Sequence, residues 1–202
     1  MRPAFGTDVL HTSEDEAFNR VYPLKIQRQS AAHWTPVQVA RKAARLLVTS
    51  PGTRVLDIGC GPGKFCAVGA TATDAYFTGI EQRAHLAAIG RDMIRAQDIP
   101  RVEIIHGNIT DICFSDYDAF YIYNPFQENI LASLKIDSTV EMAGSLYLRY
   151  TAYVANQLAH APLGTRVVTY VGECEEIPGC YDCDREAFGG YLKLWIKTRE
   201  EA

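Results

Sequence analysis

The chain has 202 residues, 48% hydrophobic and 22% charged, with 24 acidic against 20 basic side chains and a net charge of −4. That length suits one domain with a sizeable core, and no run approaches the roughly 18 apolar residues of a membrane span. The first residues lack the apolar core of a secretory leader, and six cysteines in a chain this long are no disulfide scaffold, so the sequence reads as a cytoplasmic protein with no membrane partner.

The charge is uneven. Residues 1–101 carry 13 Lys and Arg against 9 Asp and Glu, and residues 102–202 carry 7 against 15. This is no general electrostatic footprint for nucleic acid, which stays a possible partner without support from charge. Arg41, Lys42 and Arg45 read as the solvated side of a helix.

Ser13-Glu14-Asp15-Glu16 predicts a helix start, a capping serine with acids at the positive end of the dipole, for a helix to about Gln29. Thr35-Pro36-Val37-Gln38 predicts a second: threonine cap, proline in the first turn, glutamine three past the cap. Val37, Ala40, Ala44 and Leu47 then share one face. "TRVLDIG" (53–59) predicts a strand, followed by a glycine turn and a helix from Gly63 to Ala72. "AYFTGIE" (75–81) is a second strand, and Gln82–Gln97 a helix. "VEIIHG" (102–107) and "DAFYIYN" (118–124) are the third and fourth strands. A long helix spans Ser138–His160. "TRVVTYV" (165–171) and "YLKLWIK" (191–197) complete the set.

Strands alternating with helices at this spacing predict an α/β fold. It is doubly wound, with a mostly parallel sheet of about seven strands and helices on both faces. Residues 1–202 read as a single domain, in which 1–50 form a helical extension over a site beyond the carboxyl ends of the strands.

The chemistry starts in "VLDIGCGPGKF", residues 55–65. Glycines after a first strand let backbone approach a ligand closely. A dinucleotide turn has G-x-G-x-x-G, with its third glycine for helix packing and a helix end for pyrophosphate. Here the spacing is G-x-G-x-G, Lys64 takes the third place, and Asp57 would repel a pyrophosphate but attract an ammonium. The turn suits a cationic cofactor without phosphate.

"VLDIGCGPGKF" resembles the first motif of the class I S-adenosylmethionine-dependent methyltransferases, and the order of elements extends that resemblance over roughly residues 33–198. The resemblance implies a Rossmann-like methyltransferase fold, S-adenosylmethionine as cofactor, and Asp57, Gly59, Cys60, Gly61 and Gly63 around its amino acid part. Glu81 in "GIEQ" is placed to accept both ribose hydroxyls, as nicotinamide enzymes also arrange, with Gln82 beside it. In "HGNIT" the family's acid–apolar pair is replaced by Asn108-Ile109. An asparagine oxygen still accepts from an adenine amino group, and Asp111 competes for that role.

"YIYNPF" (121–126) resembles the Asn-Pro-Pro-aromatic signature of amino-methyltransferases, with one proline missing. The resemblance makes Tyr123, Asn124 and Pro125 the catalytic group, holding the N–H groups of a nitrogen acceptor: a nucleic-acid base, a protein side chain or a small amine. The alternative is an Asx-type turn with Phe126 in the core. Thr35 in "HWTP" resembles an upstream motif that closes over the methionine end. His33 and Trp34 are placed where they can line the same opening, and as a lone histidine His33 reads as structural and not as a base.

Two other functions stay open. An oxygen methyltransferase would need a base, with His106, His160 and Asp111 available. A non-catalytic protein would keep only the cofactor pocket. A nicotinamide oxidoreductase is a weak further option. Cys180-x-x-Cys183 with Cys174 is at most half a zinc site, and no metal is expected. Glu173, Glu175, Glu176, Asp182 and Asp184 would suit a cationic substrate, and Tyr181, Phe188, Tyr191 and Trp195 either pack on the last strands or line an entrance.

Overall fold

Every residue of the first strand except Arg54 is buried, so both of its faces must be covered. The computed structural model describes residues 11–201. Met1–Leu10, where the absence of a leader is read, and Ala202 lie outside them. The strands are β1 (Arg54–Ile58), β2 (Tyr76–Glu81), β3 (Val102–His106), β4 (Ala119–Ile122), β5 (Arg166–Tyr170), β6 (Tyr181–Ala187) and β7 (Leu192–Lys197). They form one sheet in the order β3-β2-β1-β4-β5-β7-β6. The first five are parallel, and β7 runs antiparallel between β5 and β6.

The chain steps outward from β1 through β2 to β3, then returns to β4 on the other side of β1. The switch point therefore lies between β1 and β4. Ile58 is level with both Ile80 and Ile122. Gly59, Glu81 and Tyr123 accordingly leave the sheet at one edge.

The helices are α1 (Ser13–Asn19), α2 (Leu24–His33), α3 (Val37–Leu47), α4 (Lys64–Ala72), α5 (Ala84–Ala96) and α6 (Gly144–Ala159). Successive strand residues alternate between two cores. Val55, Phe77, Tyr121 and Val168 pack with α3, α4 and α5. Leu56, Ile58, Phe120 and Ile122 pack with α6 and the turns at Ile109 and Phe114. The doubly wound sheet with helices on both faces is as expected.

Local elements differ in four places. The helix expected from Ser13 to Gln29 is two, because Pro23 offers no N–H and disfavours helix in the residue before it. Its cap is Thr12, which exchanges bonds with Glu14 and Asp15. The capping box on Thr35 does not form. Thr35 instead shares a hydrogen bond with Tyr121 at 2.9 Å, and the open N–H of Val37 goes to Asp15 Oδ1 at 2.9 Å. The long helix starts at Gly144 rather than Ser138, since Asp137 captures the N–H and hydroxyl of Thr139. Strand β6 carries no apolar alternation: Asp182 to Glu186 are all exposed on the sheet edge, where charges discourage further pairing.

Lys64, the residue in place of a third packing glycine, is 1% exposed. Its Nζ lies 2.7 Å from Asp15 Oδ1, itself buried, and 3.5 Å from Ser30 Oγ. Burial raises the Asp15 carboxyl, but the Lys64 ammonium and the N–H groups of Val37 and Thr12 outweigh it and hold Asp15 below the usual carboxylate range. Lys64→Met would strand that carboxylate, at a cost of about 3 kcal/mol in urea unfolding at neutral pH. A depressed pKa contributes stability above the unfolded value and loses it as pH falls through the folded one. The gap between wild type and variant should therefore close below about pH 4. A pH-independent gap would reject this account of the pair.

Candidate active site

Gly59 sits at φ +76° and Gly61 at φ +55°, conformations that a side chain strains. A Cβ on Gly59 would fall 2.6 Å from Pro125 Cβ, and one on Gly61 would fall 2.6 Å from the Trp34 ring. Gly63 caps α4, with Ile104 against it. The space these glycines leave is thus taken by protein: the turn after β4, the end of the N-terminal helices, and β3. Gly59 and Cys60 both donate to Ile80 O at 3.0 Å.

Glu81 is 5% exposed. Its Oε2 accepts from Gly61 N at 3.0 Å and its Oε1 from Arg83 N at 2.7 Å. Burial raises its pKa, and those two N–H groups and the Arg83 charge pull the other way. Asp57 is different. Burial pushes it up to about 8, its carboxyl takes a hydrogen bond from the Cys66 thiol at 3.5 Å, and the Glu81 charge adds to the rise. Among the described residues no cation pairs with this buried acid.

A cavity of about 290 Å³ opens at this sheet edge, near the lower end for small-molecule sites. Of the residues expected from sequence, Gly59, Glu81, Gln82, Asn108, Ile109, Tyr123, Asn124 and Pro125 line it. Thr35, Asp57, Cys60, Gly61 and Gly63 stand behind its wall.

Asn124 has φ +42°, and its amide makes no hydrogen bond within the described residues. A Cβ on Gly172 would fall 2.0 Å from Asn124 Oδ1. The neighbouring Val171, also on the wall, has φ +58°, which is rare for a β-branched residue. Strain of this kind collects at functional sites. Burial pushes the Tyr123 phenol up to about 12, so it stays a donor. Phe126 packs on Tyr150, ring centroids 5.5 Å apart, and belongs to the core as well as to the wall.

Asn108 differs from its expected role. Its Oδ1 already accepts from Thr110 N and Oγ1, and its Nδ2 donates to Tyr150 Oη at 2.8 Å. The asparagine oxygen serves the turn beneath the cavity. Asp111 accepts from Asn108 N at 3.4 Å and is not on the wall. His106 and His160 are also absent from it. The histidine that does line the cavity is His33, whose pKa burial lowers, with Glu128 opposing and Arg83 assisting.

The sequence reading also missed the clamp on the far wall. Arg83, with a side chain 2% exposed, binds Glu128 through both terminal nitrogens at 3.1 and 2.8 Å, and Asp137 at 3.1 Å. Burial opposes ionisation of Asp137, but Thr139 and Arg83 hold it down to about 2. Only the place of Arg83, two residues past Glu81, hinted at a role. The acids near the C-terminus do not reach the cavity: Glu175 accepts from Tyr147, and Asp182 pairs with Arg199. Cys180 is buried and Cys183 exposed, and among the described residues no three metal-ligating side chains cluster.

Residues 55–137 match a family model described as a methyltransferase domain, and they contain both the glycine turn and Asn124. Residues 55–137 are therefore similar to a methyltransferase domain. Similar curated proteins are the demethylmenaquinone methyltransferases of Bacillus mycoides, 26% identical over 84 residues, and of Listeria monocytogenes, 27% identical over 88. Those stretches cover 41% and 43% of this chain but 35% and 37% of the relatives, so the chain matches only about a third of their length.

Among solved structures, an RNA methyltransferase of Salinibacter ruber bound to S-adenosyl-L-homocysteine superposes with a TM-score of 0.59. The identity is 19%, over 83% of this chain and 95% of that one. A mutant of MtNAS bound to S-adenosylmethionine gives 0.58 at 14% identity, over 96% and 74%. At such identities the likeness establishes the fold.

The cofactor of the family is S-adenosylmethionine, and the residues present fit it. Glu81 offers acceptors for a diol, Ile58, Ile80 and Ile109 are apolar walls for a purine, and Asp57 is a buried acid lacking a cation. Because the folded pKa of Asp57 is raised, the folded state binds the extra proton, and stability falls as pH rises from about 4 to 8. Asp57→Asn should remove that slope when melting temperatures at pH 5 and pH 8 are compared. Parallel pH dependence in both proteins would contradict it.

Proposed function

We propose that this protein transfers a methyl group from S-adenosylmethionine to a nitrogen acceptor held beside Asn124. One observation carries the reading: the buried Glu81 carboxylate and the unpartnered Asn124 amide, from separate strand ends, face the same cavity. Bound there, the cofactor supplies a methyl group already activated by its sulfonium. The protein's task is then to bind, to orient and to exclude water.

In this reading Glu81 accepts the ribose hydroxyls, each oxygen keeping a lone pair beyond the N–H it already holds. Gln82 and Ile109 flank the adenine, on a wall braced by Asn108. The backbone of Gly59, Cys60, Gly61 and Gly63 follows the methionine end, with Asp57 answering its ammonium and Thr35 fixing the helix entry above. The Asn124 oxygen and the carbonyl before Pro125 accept the acceptor's N–H groups and aim its lone pair at the methyl, while Tyr123 closes the side.

His33 favours a second reading. Its imidazole is on the cavity wall, is neutral at neutral pH, and makes no hydrogen bond within the described residues. It could take a proton from a hydroxyl or carbon acceptor, which the stretch shared with demethylmenaquinone methyltransferases also supports. A protein that binds the cofactor without catalysis is the remaining alternative.

Calorimetry with S-adenosylhomocysteine tests the first half: Glu81→Ala should weaken binding by about tenfold or more, the loss of hydrogen bonds to a charged group. Asn124→Ala should lower kcat by about 10²-fold with little change in that affinity. His33→Gln should spare a nitrogen acceptor and abolish transfer to a hydroxyl. No binding to the wild type would refute the cofactor site, and equal turnover by Asn124→Ala would remove its role.

A further inference from the structure

Eight large apolar side chains are exposed among the described residues, and five of them stand on three segments that border the cavity. Val21 (37% exposed) lies in the turn just before α2 and Leu24 (67%) begins it, and the other end of α2 supplies Ala31, Ala32 and His33 to the wall. Ile130 (47%) and Leu131 (42%) lie on the strap of residues 127–137, which supplies Leu134 and Ile136. Leu148 (68%) lies on α6, which supplies Tyr150. The segments touch: Gln29 Nε2 donates to Ile136 O at 3.4 Å, and Ala143 N donates to Asn129 Oδ1 at 3.3 Å.

The charges on the same segments have one sign. Arg20, Lys25, Arg28, Lys135 and Arg149 are exposed, and none has an ion-pair partner within the described residues. Of the acids, Glu128 and Asp137 are consumed by Arg83, and Glu141 remains. Residues 17–56 contain no Asp or Glu at all. In a chain of net charge −4 this is a local reversal. Exposed apolar side chains and cations on the same segments are the chemistry of a surface that rests on anionic lipid: the apolar groups enter the headgroup boundary and the cations meet the phosphates. A contact of this kind needs no spanning helix, and none of the described helices is long and apolar enough to be one.

We propose that the rim formed by α2, the 127–137 strap and the start of α6 docks on an anionic membrane surface, and that the cavity takes its methyl acceptor from that surface. The docking stands apart from the acceptor assigned above, since it is read without turnover.

The test is co-sedimentation of the full chain with vesicles of phosphatidylcholine containing about 30 mol% phosphatidylglycerol, against phosphatidylcholine alone. The protein should pellet with the anionic vesicles and be released by about 0.5 M salt. Two variants separate the contributions: Leu24→Ser with Ile130→Ser and Leu131→Ser, and Lys25→Gln with Arg28→Gln. Each should reduce the bound fraction about tenfold while S-adenosylhomocysteine affinity, which reports the folded cavity, is kept. Pelleting no greater than with neutral vesicles would overturn the proposal. So would undiminished binding by the apolar variant, or a dimer in sedimentation velocity that the same variant dissolves, which would give the face to a second copy. Tight binding of a single-stranded RNA oligomer, lost only in the cationic variant, would give it to nucleic acid.

Discussion

The carboxylate of Asp15 ties together three chain segments that also share a core. It accepts from Thr12 N at the start of α1, from Val37 N at the start of α3, and from Lys64 Nζ at the start of α4. Two open helix N-termini and one buried ammonium are satisfied by a single side chain. A buried ion pair does not by itself add much stability, because desolvating both charges offsets their attraction. Here it links the N-terminal helices to the start of α4. Trp34 is thereby pressed against Gly61, and Ala31, Ala32 and His33 are brought to the cavity.

The two motifs of the site are locked to each other in the same manner. Pro125 fills the space that a side chain on Gly59 would need, so the turn after β1 and the turn after β4 are one packed unit across the switch point. The Glu81 oxygens tie that unit to β2 through Gly61 and to the clamp through Arg83. The residues proposed for binding and for transfer therefore share one packed frame, in which Asn124 and Val171 take positive φ. Preorganisation of this type is what positioning chemistry requires.

The electrostatics in and behind the cavity follow from burial. His33 and Tyr123 on its wall, and Asp57 behind it, are all driven toward their neutral forms, each by desolvation before anything else. Arg83 is neutralised by two carboxylates. A cationic ligand would therefore meet few fixed positive charges there, as the proposed role of Asp57 requires.

The sheet, its mostly parallel sense and the edge where the site lies were legible in the chain alone. They rest on periodicity and glycine spacing, which are local properties of "TRVLDIG", "AYFTGIE" and "YIYN". Glu81 and Asn124 were legible for the same reason, since Glu81 ends β2 and Asn124 lies two residues past β4. Strand β6 was not, because an exposed edge strand has no apolar face to leave a pattern. The cap of α3 was misassigned because the groups that satisfy it belong to other elements: Thr35 turned to Tyr121, and Asp15 reached Val37, whereas the cap of α1 was off by one residue within its own local box. The clamp of Arg83 on Glu128 and Asp137, the place of Lys64 and the neutral His33 depend on contacts between residues far apart in sequence. Sequence by itself determined which residue types stand at the strand ends. Tertiary structure decided which face the cavity and which are held behind it, because burial and long-range hydrogen bonds assign each polar group its partner.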